Sequence, residues 1–140
     1  MTQEEKELLF KDLCARTPYG VIVRNIRLDF DGYVMSPANY QPICVLTYDL
    51  HGAEDQGISP IEDIRPYLRP MSSMTEEEKE NLQSLHDIIS NENYGDGYSP
   101  SAWDAITEWE DYCNSRHLDY RGLIKKGLAL EAPEDMYKNG

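Results

Sequence analysis

Long apolar runs, a basic N-terminus and paired cysteines are all missing from this sequence. No window approaches the roughly 18 consecutive apolar residues that a membrane span requires, and the first ten residues, MTQEEKELLF, are acidic where a secretory signal is basic. The three cysteines, Cys14, Cys44 and Cys113, lie far apart and form no Cys-x-x-Cys pair. A disulfide framework and a zinc knuckle are therefore not indicated, and we expect a cytoplasmic protein without membrane contact whose thiols are free and mostly buried.

Signatures of catalysis and of cofactor binding are also missing. The three histidines, His51, His86 and His117, are not three or four residues apart, as two metal ligands on one helix would be. No glycine pair fits a phosphate loop or a dinucleotide fingerprint, and no Gly-x-Ser-x-Gly elbow occurs. We therefore predict no catalytic, cofactor-binding or metal-binding residue. A zinc site assembled from distant residues is the less favoured alternative.

The composition is that of a globular protein. The chain has 140 residues, of which 40% are hydrophobic and 28% are charged, and this length suits one domain with one core. The order of the local patterns predicts an α+β fold, in which an N-terminal helix, a small and mostly antiparallel sheet and a C-terminal helical segment pack together. We expect a single domain over residues 1–140, strand-rich over about 19–57, with a connector over about 58–74 and helices over about 75–127.

The first half of the chain contains one clear helix signal and two clear strand signals. Thr2 and Glu5 form a capping box, in which each side chain can bond the backbone amide of the other residue. This pattern predicts a helix over residues 3–16. β-Branched and aromatic residues predict strands over residues 21–28 and 42–50.

The turns and the connector are predicted from proline and glycine. Asp31 and Gly32 predict a hairpin turn, after which residues 33–35 return as a strand. Residues 58–68 contain two prolines, but their apolar residues are spaced as on one helical face, so we predict a short helical turn. The prolines and short polar residues of segment 66–74 predict an extended connector into the second half of the chain.

Two helices are predicted in the second half. Thr75 and Glu78 repeat the capping box, and the helix that they begin should end near Asn91. Ser99 or Ser101 can cap the next helix. The apolar residues of that helix follow helical spacing and are expected in the core: Ala102, Ile106, Trp109 and Cys113, with Trp103 beside them.

The last predicted elements lie after residue 118. Asp119 can cap a short helix over residues 119–127, which Gly127 would end and whose last turn contains lysines. Residues 128–130 are then expected to dock as a strand or as an extended tail.

Negative charge is concentrated in one segment of the chain. Residues 75–111 contain eleven acidic residues and one basic residue, Lys79, so this segment carries −10 of the net charge of −13. Such a field repels nucleic acid and anionic lipid and attracts basic proteins. A solvated helix face that only keeps the protein in solution is the simpler interpretation. The residues of the candidate interaction surface are Glu76, Glu77, Glu80, Asp87, Asp104, Glu108 and Asp111.

Three stretches carry a resemblance to a known family. They are PYLRPMSSMTEEE at residues 66–78, DYRGLI at residues 119–124 and GLALEAP at residues 127–133. With these stretches the chain resembles a family of short uncharacterised proteins from gut anaerobes and their phages. The resemblance implies an accessory protein of a phage or mobile element, and it implies no enzyme, cofactor or catalytic residue.

Three functions remain as hypotheses at this point. The first is a non-catalytic accessory or protein-interaction protein whose partner is a basic protein. The second is an acidic nucleic-acid mimic that inhibits a DNA- or RNA-binding protein. The third, less favoured, is an enzyme whose site is dispersed over loops, with Tyr, Asp and His side chains from residues 91–99 and from the strands. The sequence leaves the oligomeric state open, because acidic helices and tyrosine-rich edges occur in monomers and dimers alike.

Overall fold

The computed structural model of the chain describes residues 1–27, 29–35, 61–91, 93–94, 97–98 and 100–137. The helices described are α1 (Gln3–Arg16), α2 (Glu76–Asn91) and α3 (Pro100–Ser115). The strands described are β1 (Val21–Asn25), β2 (Phe30–Met35), β3 (Ile64–Leu68), β4 (Asn93–Tyr94), β5 (Gly97–Tyr98) and β6 (Leu130–Glu131). Short 3-10 turns cover Thr17–Tyr19, Ile61–Asp63 and Met71–Ser73. The predicted α+β class is confirmed, with an N-terminal helix, a small sheet and helices in the second half of the chain.

Both predicted capping boxes are present. The Thr2 hydroxyl accepts a hydrogen bond from Glu5 N at 3.1 Å, and the Glu5 carboxylate accepts one from Thr2 N at 2.8 Å. Thr75 and Glu78 form the same pair of bonds at 3.2 and 2.9 Å. Because these bonds satisfy amides that a helix start leaves without partners, they fix the first residues of α1 and α2. The bounds of α1 and the end of α2 at Asn91 match the predictions.

The main sheet has the strand order β2-β1-β3-β6. β1 pairs antiparallel with β2 and with β3, whereas β6 pairs parallel with β3. The sheet is therefore mostly antiparallel, as predicted. Val21, Val23, Ile64 and Leu68 are fully buried and alternate with less buried residues along their strands. They form one core cluster with the apolar residues of α1, because a sheet with one apolar face needs a helix to cover it.

The predicted hairpin turn at Asp31 and Gly32 is wrong, because both residues lie inside β2. The chain reverses earlier, between β1 and β2, where Asp29 has a φ of 52°. Aspartate is one of the few residues besides glycine that adopt this left-handed conformation readily, so the turn does not need Gly32. β1 is consequently shorter than the strand predicted over residues 21–28. The strand predicted over residues 42–50 lies outside the described residues.

The predicted helical turn over residues 58–68 is wrong over its second half, and its first three residues lie outside the described part of the chain. Ile61–Asp63 forms a single 3-10 turn, but β3 follows directly. In β3 the side chains of Ile64, Pro66 and Leu68 alternate into the core. Because the stretch contains few apolar residues, their spacing fits a helical period and a strand period equally well. The pairing with β1 favours the strand.

The helices α2 and α3 form a helical hairpin. Because β4 and β5 pair antiparallel between them, the chain reverses and the two helices run antiparallel. A second apolar cluster, which contains Leu82, Cys113 and Leu118, lies under this hairpin. Trp103 was predicted beside the core face of α3, but its side chain is 57% exposed. It lies on the flank of the helix, where the neighbouring residue Asp104 is exposed as well.

The predicted helix over residues 119–127 is wrong, because these residues form consecutive turns. Asp119 still accepts hydrogen bonds from Leu123 N and from the next amide, at 2.8 and 2.9 Å. Gly122 has a φ of 74°, a left-handed conformation that a continuous helix does not contain. The predicted capping residue therefore acts on a turn, and β6 follows as part of the predicted strand or tail.

One thiol contradicts the expectation that the cysteines are mostly buried. Cys14 is exposed on α1, whereas Cys113 is buried and Cys44 lies outside the described residues. Burial raises the pKa of the Cys113 thiol to about 11, so this side chain is a neutral thiol at physiological pH.

Candidate functional site

The seven predicted surface carboxylates are all exposed in the structure. Three of them, Glu76, Glu80 and Asp87, lie on one stripe of α2, because separations of four and eleven residues return a helical side chain to within about 40° of the first one. The buried Leu82 lies on the opposite side of the helix. At about 1.5 Å per residue, this stripe extends over about 17 Å.

A second stripe follows α3. Asp104, Glu108 and Asp111 lie within about 60° of one another around this helix, and the buried Ala102 and Cys113 lie on the opposite side. This stripe is about 10 Å long. Two antiparallel helices therefore carry one row of carboxylates each.

Each row lies on the solvent-exposed side of its own helix in the hairpin. The side-chain amide of Asn81 on α2 donates a hydrogen bond to the Tyr112 hydroxyl on α3 at 3.1 Å, which shows how the helices face each other. Glu77 lies one turn before Asn81, on the edge of α2 next to α3. Each row lies opposite the buried residues of its helix, so the seven carboxylates belong to the solvent-exposed surface of the hairpin. We call this surface the acidic face.

Few groups neutralise the acidic face. Lys79 approaches Glu76 at 3.4 Å, and Gln83 donates a hydrogen bond to Asp87 at 2.8 Å. The other five carboxylates have no hydrogen bond or ion pair within the part of the chain that the structure describes. Exposed charges of this kind keep most of their field available to a partner at low salt. Among the described helices, none is long and apolar enough to cross a membrane.

Glu78, in the first turn of α2, does not belong to the acidic face. It is buried, and its two oxygens accept hydrogen bonds from the two terminal nitrogens of Arg69 at 2.7 and 2.8 Å. This two-point contact with Arg69, together with the bond from Thr75 N, lowers the pKa of Glu78 to about 2 although burial opposes the shift. Glu78 is therefore ionised at every physiological pH.

Arg69 also joins the sheet to the end of α3 through its backbone. Its amide donates to the His117 carbonyl at 2.7 Å, and its carbonyl accepts from Asp119 N at 2.8 Å. One residue thus connects three parts of the molecule: the strand β3, the start of α2 and the segment after α3. Arg69 therefore attaches α2, which carries part of the acidic face, to the sheet.

A second group of charges is buried between α1 and the segment after α3. Asp12 accepts hydrogen bonds from Arg16 Nε at 2.9 Å and from Arg121 at 2.8 Å, and both Asp12 and Arg16 are fully buried. Arg16 also donates to the Leu118 carbonyl at 2.6 Å. The guanidinium of Arg121 lies over the Tyr120 ring at 4.5 Å from its centroid. One carboxylate therefore accepts hydrogen bonds from two guanidinium groups in the interior.

Two clefts flank the side chains of His117 and Tyr137. The larger, of about 620 Å³, lies between the start of α2, the end of α3 and the segment after β6, and the smaller, of about 460 Å³, opens toward Tyr19 and Gly20. Both are lined by His117 and Tyr137, whose rings stack with centroids 4.1 Å apart. The stacked pair is thus a wall between the two clefts.

The clefts offer little that resembles catalytic machinery. Burial and the nearby Arg16 lower the pKa of His117 to about 4, so the imidazole is neutral at pH 7 and a poor base. The carboxylate of Glu78 forms an ion pair with Arg69. Among the described residues, no group of three His, Cys, Asp or Glu side chains is arranged to hold a metal ion. Four of the nine residues of segment 91–99, which the enzyme hypothesis invoked, lie outside the described residues.

Sequence reasoning found the acidic face but missed the buried charges and the aromatic wall. Asp12 and Arg16 are four residues apart, and this spacing could have suggested an ion pair on one helix face, although not its burial. Arg69 and Glu78 flank a predicted helix start, but no local rule pairs residues across it. Tyr137 lies near no recognisable pattern, and its position follows only from the folded chain.

The comparisons with known proteins give no match. No family model, no curated protein and no solved structure matches this chain. The resemblance to short proteins of gut anaerobes and their phages therefore stays a prediction.

Proposed function

We propose that this protein is a non-catalytic interaction protein that binds a basic partner protein with its acidic face. The observation that carries the proposal is the exposure of all seven predicted carboxylates on the two helices of the hairpin, five of them without a partner in the described residues. Charges that the fold needed would be paired, as Asp12 and Glu78 are. The resemblance noted in the sequence supports an accessory role in a phage or mobile element.

The acidic face suits a partner that is basic along an elongated surface. Its rows are about 17 and 10 Å long, and carboxylates four residues apart are spaced by about 6 Å along a helix. Ile88, on the same edge of α2 as Asn81, is 42% exposed and offers one apolar contact beside the charges. Electrostatic complementarity of this kind raises the association rate and selects the sign of the partner.

Binding can be tested with the full chain and a panel of purified basic proteins of known sequence. The probes are titrated by calorimetry at about 50 mM and about 500 mM salt, because exposed charges are screened at the higher concentration. The variant D104K/E108K reverses two charges of the acidic face. The matched control, E4K/E7K, makes the same change of net charge on the exposed side of α1.

The proposal predicts at least one basic protein that binds at low salt, with an affinity about tenfold weaker for D104K/E108K and nearly unchanged for E4K/E7K. Equal losses in the two variants would show attraction by net charge alone and would refute a dedicated surface. Absence of binding across the panel would refute it as well. If the bound protein is itself a nucleic-acid binder and duplex DNA displaces it, the function narrows to nucleic-acid mimicry.

A further inference from the structure

The hydroxyl of Tyr137 occupies a place in the main sheet that a strand would normally fill. β1 and β3 pair from Asn25 to Val23, with Val23 opposite Pro66, so Ile22 and Tyr67 are the next pair in register. At this pair both residues bond the tyrosine: Ile22 N donates to its hydroxyl at 2.9 Å, and the hydroxyl donates to the Tyr67 carbonyl at 2.8 Å. A side chain thus completes the ladder between two strands.

The ring of Tyr137 is held by a second contact. It stacks on His117 with centroids 4.1 Å apart and an angle of 27° between the planes. His117 is only 4% exposed, and its backbone has a φ of 57°, a conformation fixed by the bond from Arg69 N to its carbonyl. The imidazole is therefore a fixed surface against which residues 133–137 close.

The environment of this imidazole is unsuited to a positive charge. Its Nδ1 is buried and has no hydrogen-bond partner within the described residues. The charged groups near His117 are Arg16 from α1, Arg69 after β3, Arg116 beside it in the chain, Glu77 and Glu78 of α2, Glu131 of β6, and Glu134 and Asp135 from the segment after β6, and the imidazole also has a hydrogen bond with the backbone of Tyr19. The first two already have carboxylate partners of their own. A proton added to His117 would place a third cation beside Arg16 and Arg69, and no carboxylate among the described residues raises the pKa of His117.

We propose that residues 133–137 are a latch, which closes when Tyr137 bridges β1 and β3 and stacks on a neutral His117, and which acid opens without unfolding the rest of the protein. The latch is the wall between the clefts of about 620 and 460 Å³, so its opening would join them into one groove. It would also expose the imidazole and the two backbone groups that the tyrosine covers. This device is independent of the acidic face.

The direction of the pH effect follows from the closed site. Burial and two guanidinium groups lower the pKa of His117 from 6.5 to about 4 while the latch is closed, and an exposed imidazole returns toward its ordinary value. The closed form then binds fewer protons than the open form. Closure should not depend on pH above about 6.5, and its equilibrium constant should fall by up to tenfold per pH unit between about 6.5 and 4. Glu78 stays ionised with Arg69 over this range.

The amide of Ile22 gives a direct measurement, because it bonds the latch rather than a strand. We expect its hydrogen exchange in the full chain, corrected for the intrinsic chemical rate, to accelerate severalfold or more from pH 7 to pH 5. The amides of Leu9 and Leu13 in the core of α1 should keep their protection. In Y137F, which retains the ring, Ile22 exchange should rise about tenfold at pH 7. Y19F, which removes the hydroxyl of an exposed tyrosine, is the matched control and should change nothing.

The histidine is tested separately with H117N, because asparagine tolerates the left-handed backbone and does not titrate. We expect faster Ile22 exchange that no longer depends on pH after the same correction. Unchanged exchange in Y137F would overturn the latch. Loss of Ile22 protection at pH 5 together with the amides of α1 would overturn it too, since the whole protein would then be unfolding.

Discussion

The buried and the exposed carboxylates of this protein differ in what surrounds them. Asp12 and Glu78 lie in the interior, and each accepts hydrogen bonds from guanidinium groups. The carboxylates of the acidic face lie in solvent, and most of them have no partner in the described residues. Since an unpaired charge is costly only where water is excluded, the interior ones are tied to the fold and the outer ones are available to other molecules.

The largest effect is expected from the interior. The substitution Asp12→Asn keeps the shape of the side chain but leaves Arg16 and Arg121 without their counter-charge, so the free energy of unfolding should fall by about 3 to 5 kcal/mol. Urea denaturation measures this change. Glu108→Ala, on the acidic face, should change it by less than about 0.5 kcal/mol. Similar values for the two variants would remove the distinction between the two kinds of carboxylate.

The pH dependence of stability should trace to Glu78. Its folded pKa of about 2 is below its ordinary 4.5, so the folded state binds fewer protons there, and the contribution is complete above about pH 4.5 and lost as the pH falls toward 2. This contribution is on the order of 3 kcal/mol. In Glu78→Gln the slope of stability against pH should be smaller in that range. Glu77→Gln, at the exposed neighbouring position, should retain the wild-type slope.

The two capping boxes provide the same motif in two environments. Thr2→Ala removes an exposed cap and should cost about 0.5 to 1 kcal/mol, whereas Thr75→Ala also weakens the support of Glu78 against Arg69 and should cost about 1 to 2 kcal/mol. Thermal or urea unfolding of both variants checks the order. Equal costs would mean that Arg69 holds Glu78 without help from the cap.

The smallest effect on stability is expected where the effect on binding is largest. D104K/E108K changes only exposed side chains without partners in the described residues, so its free energy of unfolding should remain within about 0.5 kcal/mol of the wild type. The same urea experiment measures it. A larger loss would show that the acidic face belongs to the fold, and the distinction between interior and exposed carboxylates would fail.

Local chemistry explains which parts of the fold could be predicted from sequence. The bounds of α1 and the end of α2 follow from capping residues and helical spacing, which act over three or four residues. The turn at Asp31 and Gly32 was wrong, because pairing with β1 on both sides of these residues, at Phe30 and Tyr33, keeps them inside β2. Residues 64–68 and 119–127 were wrong for the same kind of reason: a long-range pairing decided the first, and a left-handed Gly122 interrupted the second.

The candidate surface was predictable and the interior sites were not. Exposed acidic residues at helical spacing can be read directly from the sequence, because solvent imposes no further condition on them. The contacts of Asp12 with Arg121, and of Ile22 with Tyr137, join residues 109 and 115 positions apart. No local pattern encodes such pairs. They follow only when the whole chain is folded.

These long separations have a consequence for how the chain folds during synthesis. The strand β3 pairs with β6, Arg16 bonds the Leu118 carbonyl, and Ile22 bonds Tyr137, so residues made early depend on residues made last. Contacts between distant residues slow folding because the entropy of closing long loops is lost before the contacts form. The helices can form on the ribosome, but the sheet and its buried charges can be completed only after residue 137 has emerged.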